Sequence, residues 1–156
     1  MSQPPTIRLT KQFRFEAAHA LWNYDGPCRN IHGHSYVLYV TVRGRPITEP
    51  GDPKRGMVMD FSTLKKIVEG LIIGPFDHAL MVNAGTPHLA LTGEKGLFGK
   101  VVALPYQPTC ENLIHDFAAR LLPALPDGVE LHSLRLHETT TAYAEWFASD
   151  NQNSRE

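Results

Sequence analysis

Two stretches of this chain alternate strictly, and a histidine stands at the end of each stretch's apolar face. In the first, residues 7 to 19, Phe13, Phe15, Ala17 and His19 share a face with Ile7 and Leu9, with room for a bend near Thr10-Lys11. In the second, residues 33 to 44, Tyr36, Leu38, Val40 and Val42 alternate with Val37, Tyr39 and Thr41. Side chains on a strand switch faces with period 2, so both stretches are expected to be β-strands. The second is entered through Cys28-Arg29-Asn30-Ile31-His32-Gly33-His34. His32 and His34 therefore point the same way, and His19 can meet them from the neighbouring antiparallel strand.

The rest of the sequence alternates breakers with short periodic segments. Residues 20 to 31 read as a loop broken at Gly26-Pro27, and a loop of that length in a small fold is more often functional than idle. After a turn-rich connection to Gly56, Asp60 or Ser62 caps a helix from about Thr63 to Ile73, which Gly74-Pro75 is expected to stop. Residues 76 to 83 read as irregular, 84 to 99 as an exposed glycine-rich excursion, and 101 to 104 as a candidate short strand. Pro108-Thr109 opens a second helix to about Leu122. Residues 131 to 137 and 141 to 147 read as closing strands, and Ser149 to Glu156 as a frayed polar tail. The expected fold is α+β: a four-stranded antiparallel sheet with two helices on one face. Its second face, apolar in pattern, is expected to be covered by another subunit.

Composition sets the outer limits. At 156 residues, one domain spanning 1–156 is expected. A net charge of −1 gives no global basic surface for nucleic acid or an acidic membrane. No apolar run approaches the ~18 residues of a membrane span. No secretory pattern opens the sequence, so a cytoplasmic setting with Cys28 and Cys110 as free thiols is expected.

Three imidazoles converging from two strands form a metal-binding set that suits Zn²⁺, though Fe, Ni and Cu also take such ligands. Gly33, facing away between the two ligands, is expected to remove bulk there. Cys28 lies four residues before His32. It either closes a structural Cys-His₃ site or stands beside an open catalytic position as base or nucleophile, and spacing alone leaves both open. Asp77-His78, in a loop after a helix, favours the second reading, because Asp, His and Cys are the parts of an activated thiol relay. Adjacent side chains rarely bond each other, so each is expected to reach the thiol separately. Thr109 and Glu111 fit an N-cap and a dipole partner around Cys110, and the free N–H groups there can also hold an electronegative ligand edge. Glu138, within an apolar closing segment, needs donors, which a ligand's amino group beside a ring N–H would supply.

These motifs resemble the 6-pyruvoyltetrahydropterin synthase / 6-carboxytetrahydropterin synthase family. The resemblance is carried by Phe13-x-Phe15-x-Ala17-Ala18-His19, Cys28-x-x-x-His32-Gly33-His34-Ser35-Tyr36, Gly56-Met57-Val58-Met59-Asp60-Phe61, Asp77-His78, Pro108-Thr109-x-Glu111-Asn112 and Glu138-Thr139. It implies the tunnelling fold, in which three subunits close a barrel and two trimers stack into a hexamer. It implies Zn²⁺ on His19, His32 and His34, and catalysis by Cys28, Asp77 and His78 assembled across a subunit boundary. It further implies that Glu138 anchors the pterin's amino-pyrimidine edge, with Thr109, Cys110 and Glu111 forming the rest of that pocket.

The short interval from Cys28 to His32 resembles the bacterial, carboxytetrahydropterin-forming branch that serves queuosine synthesis. Its implied substrate is 7,8-dihydroneopterin triphosphate, with loss of triphosphate and a carbon–carbon cleavage. The alternatives are elimination without carbon loss, giving the pyruvoyl product, and a pterin-binding oligomer without chemistry. Phe76 in place of the usual Leu before Asp-His, and the long excursion after residue 84, depart from the family pattern.

Overall fold

The alternation at 7–19 becomes one uninterrupted strand, β1 (Ile7–His19), which pairs antiparallel with β2 (His32–Gly44) along its whole length, from Ile7 opposite Gly44 to His19 opposite His32. The computed structural model describes residues 2–154. Odd positions of β1 and even positions of β2 face the core: Phe13, Phe15, Ala17 and His19 meet Tyr36, Leu38, Val40 and Val42, all buried. β5 (Val129–His137) continues the sheet beside β2 and β6 (Tyr143–Phe147) beside β5, both antiparallel. A bulge at Thr41/Val42 shifts the β2–β5 register.

The expected four-stranded antiparallel sheet is corrected to a six-stranded mixed one, in which β3 (Ala79–Asn83) and β4 (Val101–Leu104) extend it on the β1 side, giving the order β4-β3-β1-β2-β5-β6. The segment read as irregular contains β3 (Ala79–Asn83), which runs parallel to β1, and β4 (Val101–Leu104) runs parallel to β3. β3 escapes a period-2 reading because Ala79, Leu80, Met81 and Val82 are all buried, so no polar residues alternate with them. The parallel order also explains the excursion, since parallel neighbours cannot be joined by a tight hairpin and need a crossover.

Two helical rods cover the core face. α1 (Phe61–Val68) starts at Asp60, whose carboxylate accepts from the Ser62 N–H at 2.8 Å. It does not stop at Gly74-Pro75 as expected. A π-helical turn, Glu69–Ile73, carries it into α2 (Gly74–Phe76), so the rod ends at Phe76. Pro75 has no N–H for the Leu71 carbonyl, and that acceptor is taken instead by Arg120 Nη1 at 3.1 Å. Arg120 belongs to α3 (Cys110–Leu121), capped by Thr109, whose hydroxyl accepts from the Asn112 N–H. Leu64, Val68, Ile72 and Phe76 from the first rod and Leu113, Ile114, Phe117 and Leu121 from α3 pack on the sheet, with Phe15 stacked on Tyr36 at 4.8 Å.

The open face of the sheet is more polar than its sequence suggested. Val37, Tyr39 and Thr41 are half-buried, while Arg8, Thr10, Gln12, Arg14 and Glu16 stand exposed. Among the described residues no helix is long and apolar enough to cross a membrane. The tail expected to fray holds a 3₁₀ segment, Ala148–Ser154, and its last two residues lie outside the described part.

Candidate active site

His19 and His32 are directly paired across the two central strands, and His34 follows on the same face. One nitrogen from each of the three lies within 4.8 Å of the others, and Cys28 is not part of that group. The His19 Nδ1–H donates to the Pro108 carbonyl at 2.6 Å, and the His32 Nδ1–H donates to the Asn30 carbonyl at 2.7 Å. A carbonyl only accepts, so both rings carry their proton on Nδ1, and when neutral both present a lone pair on Nε2. Those Nε2 atoms lie 3.0 Å apart. Two lone pairs facing at that distance call for a cation between them. His34 Nε2 is buried and without a hydrogen-bond partner among the described residues.

The donor set therefore fits a divalent metal. Carbonyls behind His19 and His32 fix tautomer and ring orientation, as outer acceptors do in metal sites. Burial lowers the pKa of both His19 and His34, keeping them neutral, which a metal ligand requires. The Pro108 and Asn30 carbonyls have no sequence signature, and only the fold could reveal them.

Glu138 lies just past β5, next to His137, the partner of Val37 in β2, and is half-buried. Its Oε1 comes within 3.1 Å of His34 Nε2, at ion-pair distance but outside hydrogen-bond alignment. Thr109 and Cys110 are carried to the same region by α3, whose N-terminus is tied to the histidines through Pro108. The Cys110 thiol is turned inward, donating to the Leu136 carbonyl at 3.3 Å, and burial pushes its pKa up to about 11. Glu111 is exposed on the first turn of α3. Gly33 does not relieve crowding within the subunit, contrary to expectation, because a Cβ there would meet only the Ala17 carbonyl, at 3.5 Å.

Cys28 sits in a 3₁₀ turn, Pro27–Arg29, half-buried, as a free thiol. The loop around it runs between His19 and His32, and the Leu21 N–H donates to the Cys28 carbonyl at 3.0 Å.

Asp77 and His78 are anchored to Glu16 of β1. They follow α2 along the β1 edge: Asp77 Oδ1 accepts from the Glu16 N–H at 2.9 Å, and the His78 N–H donates to the Glu16 carbonyl at 2.6 Å. His78 lines a cavity with Glu16, His34, Ser35 and Lys100. Contrary to the sequence expectation, the two neighbours do contact each other, His78 Nδ1 lying 3.0 Å from Asp77 Oδ2. His78 permits this by adopting φ +60°, a left-handed conformation that costs a non-glycine residue roughly 1–2 kcal/mol. The Glu16 N–H holds the Asp77 carboxyl below the usual carboxylate range. Among the described residues neither side chain is hydrogen-bonded to Cys28 or to the histidine group of the same subunit.

A profile of the 6-pyruvoyl tetrahydropterin synthase family matches residues 8–149. The chain belongs to this family. Within it, the chain is 35% identical over 143 residues to a Haemophilus influenzae protein named 6-carboxy-5,6,7,8-tetrahydropterin synthase, an alignment covering 90% of this chain and 98% of that one. A Synechocystis protein of the same name is 35% identical over 140 residues, covering 90% and 92%. Among solved structures, the Caenorhabditis elegans 6-pyruvoyl tetrahydropterin synthase superposes with a TM-score of 0.67 at 24% identity, covering 95% of this chain and 99% of that one. At that identity the likeness speaks for the fold alone.

Proposed function

We propose that this protein converts 7,8-dihydroneopterin triphosphate and one water to 6-carboxy-5,6,7,8-tetrahydropterin, acetaldehyde and triphosphate, as a step towards queuosine. The observation that carries the product assignment is the likeness, across nine-tenths of the sequence, to relatives named for that product. The three-residue spacer between Cys28 and His32 supports it.

His19, His32 and His34 would hold the metal, for which zinc is the reading that three neutral imidazoles favour. Bound there, it supplies a Lewis acid for the hydroxyls of the substrate's propyl arm. Glu138 accepts from the pterin's amino group and ring N–H, and the start of α3 at Thr109, Cys110 and Glu111 lines the rest of the pocket. Cys28, as thiolate, takes the proton from a C–H bond of that arm, and Asp77 with His78 passes protons to and from the substrate oxygens. Among the described residues neither Asp77 nor His78 is hydrogen-bonded to Cys28 or to the histidine group of its own subunit, which is compatible with a working site that combines residues of two subunits. The assembly in this reading is the trimer-based hexamer that the family resemblance implies, in the cytoplasm.

Mass spectrometry of the metal-loaded protein's products with this substrate tests the reading. Acetaldehyde and the carboxy product are expected; a product retaining every carbon of the substrate's propyl arm overturns the assignment, and an unconsumed substrate overturns catalysis altogether.

A further inference from the structure

The peptide that joins Asp77 to His78 is gripped at both ends. On one side the His78 N–H donates to the Glu16 carbonyl of β1 at 2.6 Å. On the other, the Asp77 carbonyl accepts from Lys100 Nζ at 2.5 Å, and the same ammonium reaches the Gly74 carbonyl at 2.7 Å. Lys100 is itself fixed, because its carbonyl accepts from the Leu80 N–H of β3 at 2.9 Å. It stands where the long excursion re-enters the sheet, immediately before β4.

The grip has a physical reason. α2 ends without the left-handed glycine that closes many helices: Asp77 is extended at φ −65° and ψ 129°, and the left-handed position falls on His78 instead. A histidine held at positive φ returns to ordinary backbone unless its surroundings over-determine it. Rotating the 77–78 peptide would move the carbonyl off Lys100 and the N–H off Glu16 together. It would also separate His78 Nδ1 from Asp77 Oδ2, now 3.0 Å apart. A cationic side chain near a helix C-terminus that also satisfies its last carbonyls is a favourable arrangement in general. Here one of those carbonyls belongs to the peptide that sets the direction of the imidazole.

We propose that Lys100 is a positioning residue for the Asp77–His78 pair: by clamping the peptide between them it sets the orientation of the imidazole, and through it the rate of turnover, without touching substrate. This rests on the proposed role of the pair in proton transfer. It also assigns a purpose to the excursion, whose return delivers Lys100 to the end of α2.

The test uses the full-length, metal-loaded protein with 7,8-dihydroneopterin triphosphate and the variants Lys100→Met, Lys100→Arg, His78→Ala and Lys100→Met/His78→Ala. Lys100→Met keeps the aliphatic stem and loses the donors. It is expected to lower kcat by roughly ten- to a hundredfold, less than the ~10²–10⁴-fold that a general acid or base contributes because the imidazole is misplaced and not removed, with KM changed less than about twofold by the same argument. Lys100→Arg, which still offers donors to both carbonyls, is expected to restore most of kcat. The imidazole ¹⁵N spectrum of His78 should change in Lys100→Met and return in Lys100→Arg. In the His78→Ala background, Lys100→Met should add nothing, because two residues acting through one group are not additive. Wild-type kcat in Lys100→Met beside an inactive His78→Ala overturns the role of Lys100 and leaves the relay standing. A further loss on top of His78→Ala overturns it too, since Lys100 would then act on its own. Full turnover in His78→Ala removes the relay, and with it this proposal. A variant that merely melts earlier, with an unchanged His78 spectrum, makes Lys100 structural and overturns the proposal as well.

Discussion

Glu138 Oε1 lies 3.1 Å from His34 Nε2, so the carboxylate read as a pterin anchor touches one of the three histidines that could hold a metal. The contact makes Glu138 a competitor for either role, ligand or anchor. Three histidines already converge without it, and His34 Nε2 stays unaligned with the carboxylate. Glu138→Gln is therefore expected to bind metal at the wild-type stoichiometry while raising KM by about 10- to 100-fold, the loss of a charge-assisted hydrogen bond worth roughly 1.5–3 kcal/mol. Metal analysis of the purified variant beside its steady-state kinetics checks this. Loss of metal would make Glu138 a fourth ligand.

His19 is expected to behave differently from its two partners. It is almost wholly buried and its Nδ1–H ties β1 to the Pro108 carbonyl at the start of α3. Replacing it with alanine removes a metal ligand and leaves that buried carbonyl without a donor, a cost of roughly 1–3 kcal/mol even in chelator. His32→Ala and His34→Ala, at less buried positions, should lose metal but unfold in chelator closer to wild type. Urea denaturation with and without chelator separates the two effects.

The strand pair and the histidine group are legible in the sequence because period-2 alternation is a local property that survives into the fold at β1 and β2. β3 is not, since a strand buried on both faces loses its alternation and Ala79–Asn83 is only five residues long. The end of the first rod is hidden for another reason. Gly74-Pro75 is a stop signal in isolation, and the rod passes it by a π-helical turn while Arg120, far away in sequence, takes the Leu71 carbonyl. The Asp77–His78 contact depends on one positive φ, which no side-chain pattern announces for a histidine.

The two thiols should differ in reactivity. Cys110 is buried, donates to the Leu136 carbonyl and has its pKa pushed up to about 11, whereas Cys28 is half-buried in the loop between His19 and His32. At pH near 8, iodoacetamide is expected to modify Cys28 at least about tenfold faster, because the thiolate is the nucleophile and access limits the rest. Peptide mass spectrometry over a time course reads the ratio, and equal rates would mean that α3 opens readily.

The same burial gives a stability profile on the alkaline side. A thiol pKa higher in the folded state than in the unfolded one means that folding favours the protonated form. Its stabilisation is present below the ordinary value of 9.0 and is lost as pH rises through about 11. Burial raises the Tyr36 and Tyr106 phenols as well, so they add to the loss in the alkaline range. The melting temperature should fall across this window. Cys110→Ala should flatten the fall by up to roughly 3 kcal/mol, given 1.36 kcal/mol per unit of pKa.

Arg120 offers the sharpest test of how the first rod is held. Its guanidinium pairs with Asp116 at 2.9 and 3.2 Å, donates to the Leu71 carbonyl, and lies over the Phe76 ring, 4.9 Å from its centroid. Tyr106 donates to the same Asp116 carboxylate. Arg120→Met keeps much of the packing against Phe76 but strands the Leu71 carbonyl beside Pro75 and leaves Asp116 without its cation. A loss of about 2–3 kcal/mol in chemical denaturation is expected, the cost of unpairing partly buried polar groups. Pro75→Ala returns an N–H to the helix. Introduced into Arg120→Met it should recover part of that loss, while in the wild-type background, where Leu71 already has its donor, it should change stability much less. Equal effects of Pro75→Ala in both backgrounds would show that Arg120 does not act through the Leu71 carbonyl.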